Sequence, residues 1–478
     1  MNPEAVADLA SLREKLVQRL GAAAVLADPA EHARYCRDWH GDVQTGAVAV
    51  LRPDSTEAVA QAVRACGELG LSIIPQGGNT GLVLGGTPDA PGRQVVLTLE
   101  RMNRIRRIDP DDFSTVVEAG CVLQQVQQAV REQGLFLGLS LGAEGSCQVG
   151  GNVSTNAGGI NVLRYGMARE QVLGLEAVLP DGSVFDGLST LRKDNRGIDL
   201  KQLFIGAEGT LGIVTAVSLK LSPAPEQVET ALLAVDSLHA ALALYRQARR
   251  DCCDLMSAFE YMPPAAFMLA REAMPDLPLP LAQEHPGYVL MEISGSGLVD
   301  VGALMQAFLE KALEAGAVRD GVVAASHAQA RGLWLFREAM NEGQARRGLH
   351  LRTDVSVPLS RLADFVDQVQ ARLAQAHPDC LTVSYGHVGD GNVHVNVLPP
   401  AAASTAQRMD IIHDAKEIIN AAIDAFGGSI SAEHGIGRLK RPDFERRAGP
   451  VRLGLLQALK RAVDPQGRMN PGCQIMVE

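Results

Sequence analysis

The segment from Ser384 to Asn396 limits the fold of this chain most, because its turn decides which side chains face one another. Two runs rich in β-forming residues make up its flanks, and Asp390-Gly391 lies between them. Asp-Gly in such a setting is a strong hairpin signal, since a two-residue type I′ turn needs positive φ at both central residues. Counting outward from this turn pairs His387 directly with His394.

Two imidazoles on one face of a hairpin can bind a single cation. Cross-strand partners have Cβ atoms roughly 4.5–5.5 Å apart, so His387 and His394 are expected to converge. Glu433 offers a carboxylate as a third ligand, and His434 beside it offers a base. Asn396 lies on the same face of the hairpin as the two histidines. Two histidines and one carboxylate leave coordination positions open for a substrate, as in catalytic sites. The alternative is a pair of sheet histidines that hydrogen-bond to each other or to water. Residue spacing alone does not decide between a metal site and this alternative.

Length and composition limit the class of protein. The 478 residues suffice for two or three domains. Lys and Arg total 44 against 55 Asp and Glu, and no basic run carries interleaved aromatic residues, so nucleic acid is not an expected partner. No apolar stretch approaches the ~18 residues of a membrane span, so we expect a soluble, cytoplasmic protein, or one peripheral to the inner membrane. Eight cysteines without a Cys-x-x-Cys pair are expected to be reduced thiols.

Strands and helices alternate in the first half, and a glycine-rich loop follows one of the strands. Ser55 is placed to cap a helix, the apolar run 71–75 predicts a strand, and the loop from Gln76 to Gly81 comes next. Glycines after a strand let the backbone approach an anion and point N–H groups toward it. The loop matches neither a P-loop nor a Rossmann fingerprint. By itself it is equally consistent with an ordinary turn.

Two further glycine-rich tracts, 141–159 and 206–214, strengthen the case for a ligand. Most residues from Gly150 to Asn156 are Gly, Asn, Ser or Thr. This composition suits hydrogen bonds around a large polar ligand better than it suits a core.

These motifs together resemble a known family. Pro75–Gly81, Gly150–Gly159 and Glu208–Gly212 resemble the FAD-binding domain of the vanillyl-alcohol oxidase/p-cresol methylhydroxylase superfamily. Gly386-His-x-Gly-Asp-Gly-Asn-x-His394 and Glu433-His-Gly435 resemble the C-terminal domain of its D-2-hydroxyacid dehydrogenase branch, whose members act on D-lactate, glycolate or D-2-hydroxyglutarate. The resemblance covers roughly residues 40 to 476, in the family's order.

The resemblance implies an α+β fold: a two-lobed FAD-binding domain of the p-cresol methylhydroxylase type and an α+β substrate (cap) domain carrying an antiparallel sheet. We expect an N-terminal helical segment at 1–42, the FAD-binding domain at 43–222, the cap at 223–430 and a segment returning to the flavin at 431–478. The proline-rich stretch 222–226 marks the central boundary.

The resemblance also implies which residues hold FAD. The first loop would hold the pyrophosphate through backbone amides, and Ile213 would cover part of the cofactor. Because 76–82 contains no histidine, FAD is expected to be non-covalent. The positions that match the family's cofactor residues are Pro75, Gln76, Gly77, Gly78, Asn79, Thr80, Gly81, Leu82, Leu141, Gly142, Ser146, Gly150, Gly151, Asn152, Ser154, Thr155, Asn156, Ala157, Gly158, Gly159, Tyr165, Glu208, Gly209, Gly212, Ile213 and Asn470.

A candidate carboxylate clamp lies in the second half. Arg337 and Asn341 share a face of a predicted helix from about 329 to 347. Alternation in the next segment places His350, Arg352, Asp354 and Ser356 on one side. The residues alone favour a solvated face with an Arg352–Asp354 pair. The resemblance implies instead that Arg337 grips the substrate carboxylate, with Asn341 where Thr is usual and Arg352 where Lys is usual.

The implied activity is oxidation of a D-2-hydroxy acid to the 2-oxo acid. A divalent metal at His387, His394 and Glu433 would bind the substrate hydroxyl, zinc suiting these ligands best and Mn²⁺ or Fe²⁺ also fitting. His434 would take the hydroxyl proton, and FAD would take the hydride. The substrate would be aligned by Arg337, Arg352, Asn341 and Asn396.

D-2-hydroxyglutarate is the first expected substrate, because two arginines can serve two carboxylates. D-lactate, glycolate or a D-malate-like diacid are alternatives. Electrons would pass to a protein such as electron-transfer flavoprotein or to a quinone, and a homodimer is compatible with the sequence. An FAD subunit of a multi-chain glycolate oxidase and a non-redox flavin transferase of the same fold also remain open.

Overall fold

A computed structural model describes residues 3–89 and 93–476 of the chain. The ends of the expected segments 1–42 and 431–478, namely residues 1–2 and 477–478, lie outside the described residues. The chain forms two compact units. The first comprises Met1–Gly158, Gly166–Ala224 and Glu433–Glu478, and the second comprises Gly159–Tyr165 and Pro225–Ala432. The domain limits expected from the sequence stay predictions.

Strands and helices are interspersed along the described chain. The strands are β1 (Val25–Leu26), β2 (Val50–Leu51), β3 (Ser72–Gln76), β4 (Gln94–Thr98), β5 (Ile105–Asp109), β6 (Ser114–Glu118), β7 (Leu135–Phe136), β8 (Val172–Val178), β9 (Val184–Gly187), β10 (Ile213–Lys220), β11 (Ser222–Pro223), β12 (Gln227–Val235), β13 (Met256–Met262), β14 (Gly287–Gly295), β15 (Asp320–Val323), β16 (Val355–Ser356), β17 (Leu381–Tyr385) and β18 (Asn392–Leu398).

The α-helices are α1 (Pro3–Leu20), α2 (Thr56–Glu68), α3 (Leu123–Arg131), α4 (Val149–Ser154), α5 (Val162–Tyr165), α6 (Ala168–Gln171), α7 (Leu238–Asp251), α8 (Pro264–Ala273), α9 (Val301–Glu314), α10 (His327–Arg346), α11 (Leu362–Ala376), α12 (Thr405–Phe426), α13 (Arg441–Arg447) and α14 (Pro450–Val463). Short 3₁₀ turns occupy Ala22–Ala24, Pro29–Glu31, Ala33–Tyr35, Leu200–Leu203, Cys253–Leu255 and Leu359–Arg361.

The first unit contains two larger sheets. One has the order β1-β2-β4-β3, in which β2 and β3 pair with β4 in parallel. The other has the antiparallel order β5-β6-β10-β8-β9. β10 lies at its centre because its residues are apolar or small and, except for Lys220, buried. Ser55 caps α2 as predicted, its hydroxyl accepting from Ala58 N–H at 3.2 Å.

The C-terminal stretch 433–476 completes this first unit. Met469 forms a parallel bridge with Ile73 of β3, so the end of the chain extends the pairing of the parallel sheet. The buried ammonium of Lys460 donates to the carbonyl of Thr210 at 2.6 Å and to that of Met469 at 2.7 Å, and its charge is met by Asp464. Burial lowers the pKa of Lys460. The last forty or so residues are therefore structural parts of this unit.

The second unit is built on antiparallel sheets, as predicted. Its larger sheet has the order β13-β14-β12-β15, and its smaller sheet the order β16-β18-β17. The apolar stripe of α12 is buried at Ala415, Ile419, Ala422 and Ile423, while His413 is exposed, as its helical spacing requires. The α+β class is confirmed in both units.

The hairpin has a longer turn than the sequence predicts. Tyr385, not His387, pairs with His394, and Gly391 alone of the two expected turn residues has positive φ, at 85°. The predicted two-residue turn and the direct histidine pairing are therefore wrong. β13 explains the difference: Tyr261 and Gly386 exchange both backbone hydrogen bonds, at 3.0 and 3.1 Å, which draws Gly386 out of the hairpin ladder.

Candidate active site

Three loops of the first unit line one groove. They are the loop after β3, the start of α4 and the turn before β10. These are the glycine-rich tracts singled out in the sequence, and here they converge. The predicted cofactor residues on the groove are Pro75, Gln76, Gly77, Gly78, Asn79, Thr80, Gly81, Gly150, Gly151, Asn152, Ser154, Thr155, Glu208, Gly209, Gly212 and Ile213.

Close backbone packing explains the glycines on the protein side of this groove. A Cβ on Gly78 would lie 2.1 Å from the carbonyl oxygen of Ser146, and one on Gly150 would lie 2.6 Å from the Cβ of Ala119. The loops also need left-handed backbone at a non-glycine residue, Asn79, with φ of 54°. Asn tolerates this conformation better than most residues. The sequence therefore specifies the shape of these loops as well as their polarity.

The open side of the groove fits a large polar cofactor such as FAD. Atoms Oε1 of Gln148 and Oδ1 of Asn152 are buried there with no hydrogen-bond partner among the described residues. A Cβ on Gly151 or Gly81 would meet no described atom within 4 Å. Buried polar atoms in proteins are normally paired, so these two oxygens indicate a missing ligand with donor groups.

Some predicted cofactor residues do not line the groove. In the first unit these are Leu82, Leu141, Gly142, Ser146, Asn156, Ala157, Gly158 and Asn470, whereas Gly159 and Tyr165 belong to the second unit. The side-chain amide of Asn470 donates to the carbonyls of Gly85 at 3.0 Å and Glu208 at 2.7 Å. Asn470 therefore braces two of the surrounding loops. Likewise the side-chain amide of Gln76 donates to the carbonyls of Tyr35 at 2.9 Å and Gly86 at 2.8 Å, so it too braces the loop.

Sequence reasoning missed several groove residues. Cys147 and Gln148 precede α4, and Val83, Gly85 and Gly86 follow the first loop. The available signal for Gln148 was its place inside the second glycine-rich tract, and in the structure it directly precedes α4. His434, expected as a base, also lines this groove. Glu433 packs on the second tract, since a Cβ on Gly158 would lie 2.5 Å from its Oε1.

A buried carboxylate organises the candidate substrate side in the second unit. Glu260 on β13 is 1% exposed and accepts from Nε of Arg337 at 2.8 Å. Its other oxygen accepts from Nδ1 of His387. Burial alone would raise the pKa of Glu260, but His387 and Arg337 lower it to about 2. Sequence reasoning missed Glu260, although a lone Glu in an otherwise uncharged strand was the available signal.

The two hairpin histidines have fixed orientations. Because a carboxylate only accepts, Nδ1 of His387 carries the proton in its contact with Glu260. Nδ1 of His394 donates to the carbonyl of Thr353 at 2.9 Å. In the neutral form of each ring, the lone pair is then on Nε2. The ring centroids are 6.2 Å apart, so the histidines stay close although the predicted register is shifted by two residues.

Asn341 and Asn396 join one polar network. The hydroxyl of Tyr385 donates to Oδ1 of Asn341 at 2.9 Å and accepts from Nδ2 of Asn396 at 3.2 Å. Asn396 also bonds to Gln344 at 2.8 Å. The guanidinium of Arg337 lies over the Tyr385 ring, 4.9 Å from its centroid. The structure thus brings together Arg337, Asn341 and Asn396 through a tyrosine that the sequence did not single out.

The predicted polar face after α10 forms only in part. Arg352 is exposed, but His350 and Asp354 are buried, at 6% and 0% exposure. The expected solvated face is therefore wrong. Asp354 is buried because it accepts from Nδ2 of Asn392 at 3.0 Å and from Ala432 N–H at 3.1 Å. These bonds hold Ala432 beside Asp354. Ala432 is the last residue of the second unit and directly precedes Glu433 in the chain.

Comparison with known proteins identifies the family. The chain matches the family model of FAD linked oxidases, C-terminal domain, over residues 224–473, and the FAD binding domain over residues 47–187. D-2-hydroxyglutarate dehydrogenase, mitochondrial, from Bos taurus is 40% identical over 464 residues, 97% of this chain and 82% of that protein. D-2-hydroxyglutarate dehydrogenase from Xanthomonas citri pv. viticola is 38% identical over 459 residues, 96% and 95% of the two chains.

Solved structures of low sequence identity share the fold. A 4-ethylphenol oxidase from Gulosibacter chungangensis matches with a TM-score of 0.76 at 19% identity, covering 100% of this chain and 98% of that one. A p-cresol methylhydroxylase matches with a TM-score of 0.75 at 16% identity, covering 98% and 97%. The expected p-cresol methylhydroxylase fold is therefore confirmed. With both family models and the relatives in agreement, the chain belongs to the FAD-linked oxidases, in the family that includes the D-2-hydroxyglutarate dehydrogenases.

Proposed function

We propose that this enzyme oxidises D-2-hydroxyglutarate to 2-oxoglutarate. The relatives named as D-2-hydroxyglutarate dehydrogenases support the substrate, and the groove of the first unit supports FAD. The single observation that carries the proposal is the buried Glu260, bonded on one side to Arg337 and on the other to His387. Glu260 on β13 holds an anion-binding guanidinium from α10 and a metal-binding imidazole from the turn after β17 on its two carboxylate oxygens. FAD, when bound, accepts the hydrogen and the two electrons that leave the substrate carbon.

We infer that His387, His394 and Glu433 hold a divalent metal, with zinc the best match to the ligands. Both histidines have Nδ1 on an acceptor, the arrangement that metal-binding imidazoles commonly show. Glu433 follows Ala432, which is anchored to Asp354. When bound, such a metal polarises the substrate hydroxyl.

The remaining roles fall to residues on either side of the reacting atoms. His434 lines the groove and is proposed to accept the hydroxyl proton. Arg337 would bind the carboxylate beside the hydroxyl, and Arg352 the distal one. Asn341 and Asn396, linked through Tyr385, would orient the substrate.

The electron acceptor, the location and the assembly belong to the same proposal. We propose electron-transfer flavoprotein or a quinone as acceptor, and a cytoplasmic protein able to form a homodimer. The Bos taurus relative is named as mitochondrial. Among the described residues, none of the helices combines the length and apolarity that a membrane crossing requires.

D-lactate and glycolate are competing substrates, because Arg352 alone would distinguish a diacid from a monoacid, and D-malate competes as a shorter diacid. A role as FAD subunit of a larger oxidase is a further alternative. The fold alone also allows a transferase, since an alkyldihydroxyacetonephosphate synthase matches with a TM-score of 0.72 at 17% identity.

Anaerobic bleaching of the flavin by a panel of D- and L-2-hydroxy acids tests the proposal. We expect D-2-hydroxyglutarate to bleach the flavin fastest, the L-enantiomer not at all, and chelation of metal to abolish bleaching until Zn²⁺ or Mn²⁺ is restored. Bleaching by D-lactate alone contradicts the substrate, and bleaching that survives chelation contradicts the metal. A flavin that no hydroxy acid reduces contradicts the reaction and favours the subunit or transferase role.

A further inference from the structure

We propose that Glu208 is a positioning residue for His434, and not a cofactor ligand through its carboxylate. The inference rests on the proposed role of His434 as the base. Glu208 is 7% exposed and lies in the turn before β10. Glu208, His434 and the residues that join them all belong to the first unit.

The carboxylate of Glu208 clamps two consecutive backbone amides. Its Oε1 accepts from Ile436 N–H and its Oε2 from Gly437 N–H, both at 2.7 Å. The side-chain Nε2 of Gln474 donates a third hydrogen bond, to Oε1 of Glu208, at 3.0 Å. In the described part of the chain these donors take the place of a cation, because Glu208 forms no ion pair there. Bonds from N–H groups to an ionised carboxylate are about twice as strong as neutral ones.

The clamp sets the backbone directly after His434. Gly435 and Gly437 both have positive φ, at 82° and 54°. A Cβ on Gly435 would lie 2.8 Å from Oε1 of Glu208, and one on Gly437 would lie 2.0 Å from the carbonyl of Val83. The Gly-x-Gly sequence is therefore what lets the amides of Ile436 and Gly437 turn onto one carboxylate.

Glu208 is itself held from both sides. Its N–H donates to the carbonyl of Ser154 at 2.7 Å, and its own carbonyl accepts from Asn470 at 2.7 Å. Its φ of 50° places Glu208 in the left-handed region, which residues other than glycine rarely adopt. Ser154 lines the same groove as His434. One residue thus ties the wall of the cofactor groove to the segment that carries the proposed base.

The chemistry of the clamp defines a variant that removes it with little change of shape. Glu208→Gln keeps the size of the side chain but replaces one acceptor oxygen with an NH₂ group. That NH₂ group would face a backbone N–H, so at most one of the two amides keeps its bond. Glu208→Asp keeps the charge on a shorter side chain and is the conservative variant. Glu118→Gln is the control, because Glu118 is a fully buried glutamate of the same unit whose partners are arginines.

The experiment compares Glu208→Gln, Glu208→Asp, Glu118→Gln, His434→Ala and the wild type as FAD-loaded proteins. Three quantities are measured: amide hydrogen exchange of peptides covering 433–438, the dissociation constant of FAD, and the rate of anaerobic flavin reduction by D-2-hydroxyglutarate across pH. For Glu208→Gln we expect amide exchange in 433–438 to become faster, and flavin reduction slower, each by about tenfold or more. The dissociation constant of FAD should stay within about threefold of the wild-type value. The pH profile should shift, Glu208→Asp should recover part of the rate, and Glu118→Gln should leave exchange in 433–438 as in the wild type.

Each contrary result has a distinct meaning. Wild-type exchange in Glu208→Gln overturns the clamp. Loss of FAD in Glu208→Gln with a normal rate after saturation with FAD assigns the carboxylate to cofactor binding and overturns the inference. A wild-type rate in His434→Ala overturns the proposed base, and with it any catalytic effect of Glu208, while the exchange data still decide whether Glu208 fixes the segment. If Glu208→Gln does not fold, Glu208→Asp is judged by the same exchange criterion.

Discussion

Glu260 and Arg337 form a buried ion pair at 2.8 Å, with side-chain exposures of 1% and 10%. Removing one charge of a buried pair leaves the other uncompensated, which costs roughly 3–5 kcal/mol. We therefore expect Glu260→Gln to lower the free energy of unfolding by about that amount in urea titrations. Glu272→Gln is the control, because its pair with Arg347 is partly exposed and should contribute about 1 kcal/mol or less. Equal losses in the two variants would contradict the central role of Glu260.

Gly150 and Gly151 are neighbours in α4, yet alanine should affect them in opposite ways. A Cβ on Gly150 collides with Ala119, so Gly150→Ala should destabilise the apoprotein. A Cβ on Gly151 meets no described atom within 4 Å and enters the groove. We expect Gly151→Ala to fold at least as well as the wild type, since Ala is the better helix former by about 1 kcal/mol, but to bind FAD at least tenfold more weakly. Thermal unfolding of the apoprotein and a flavin titration measure the two effects, and unchanged FAD affinity would place the cofactor elsewhere.

The hairpin histidines should be needed for turnover and not for folding. We expect His387→Ala and His394→Ala each to lower flavin reduction by about 10³-fold or more, because each removes a proposed metal ligand. Both proteins should stay folded and yellow, and should bind less metal in elemental analysis. His413→Ala is the matched control, because His413 is exposed on α12. Loss of FAD together with activity would show that the two histidines are structural.

Arg352 should discriminate between diacids and monoacids. Its side chain is exposed in the second unit and is proposed to bind the distal carboxylate. Arg352→Ala should lower kcat/KM for D-2-hydroxyglutarate by about 10- to 100-fold, the effect expected for a lost charge-assisted bond, and change D-lactate turnover little. Steady-state kinetics with a dye acceptor give both values. Equal losses with the two substrates would contradict a distal-carboxylate role.

Buried cysteine should make the protein sensitive to high pH. Burial raises the pKa of the Cys66 thiol from 9.0 to about 12. Because the folded pKa lies above the unfolded one, the stabilisation is complete below pH 9 and is lost as the pH rises toward 12. Between pH 8 and 11 the unfolding free energy of Cys66→Ala should therefore fall less steeply than that of the wild type, by roughly 1.4 kcal/mol per unit above pH 9. Exposed Cys253→Ala should keep the wild-type slope.

Sequence patterns predicted those elements that depend on local chemistry. Ser55 caps α2 because a cap acts within a few residues. The glycine-rich tracts have the shape of polar, close-packed loops, since glycines and left-handed backbone are local requirements.

Contacts distant in sequence could not be predicted in the same way. The hairpin register was wrong because β13 competes for Gly386, a strand more than a hundred residues earlier. Glu260 was missed because its partners, Arg337 and His387, meet it only in the folded unit. A shift of two residues preserves the alternation of a strand, which is why the histidines stay close despite the wrong register.

Insertion of residues 225–432 into the first unit has a consequence for synthesis on the ribosome. The inserted unit has all of its strands available before residues 433–476 leave the exit tunnel. The first unit, by contrast, waits for Met469 to join β3 and for Lys460 to reach Thr210. A nascent chain therefore holds a half-built cofactor groove until residues 433–476 have been synthesised. Stop codons introduced between positions 433 and 460 should yield a protein that retains a folded second unit and takes up no flavin.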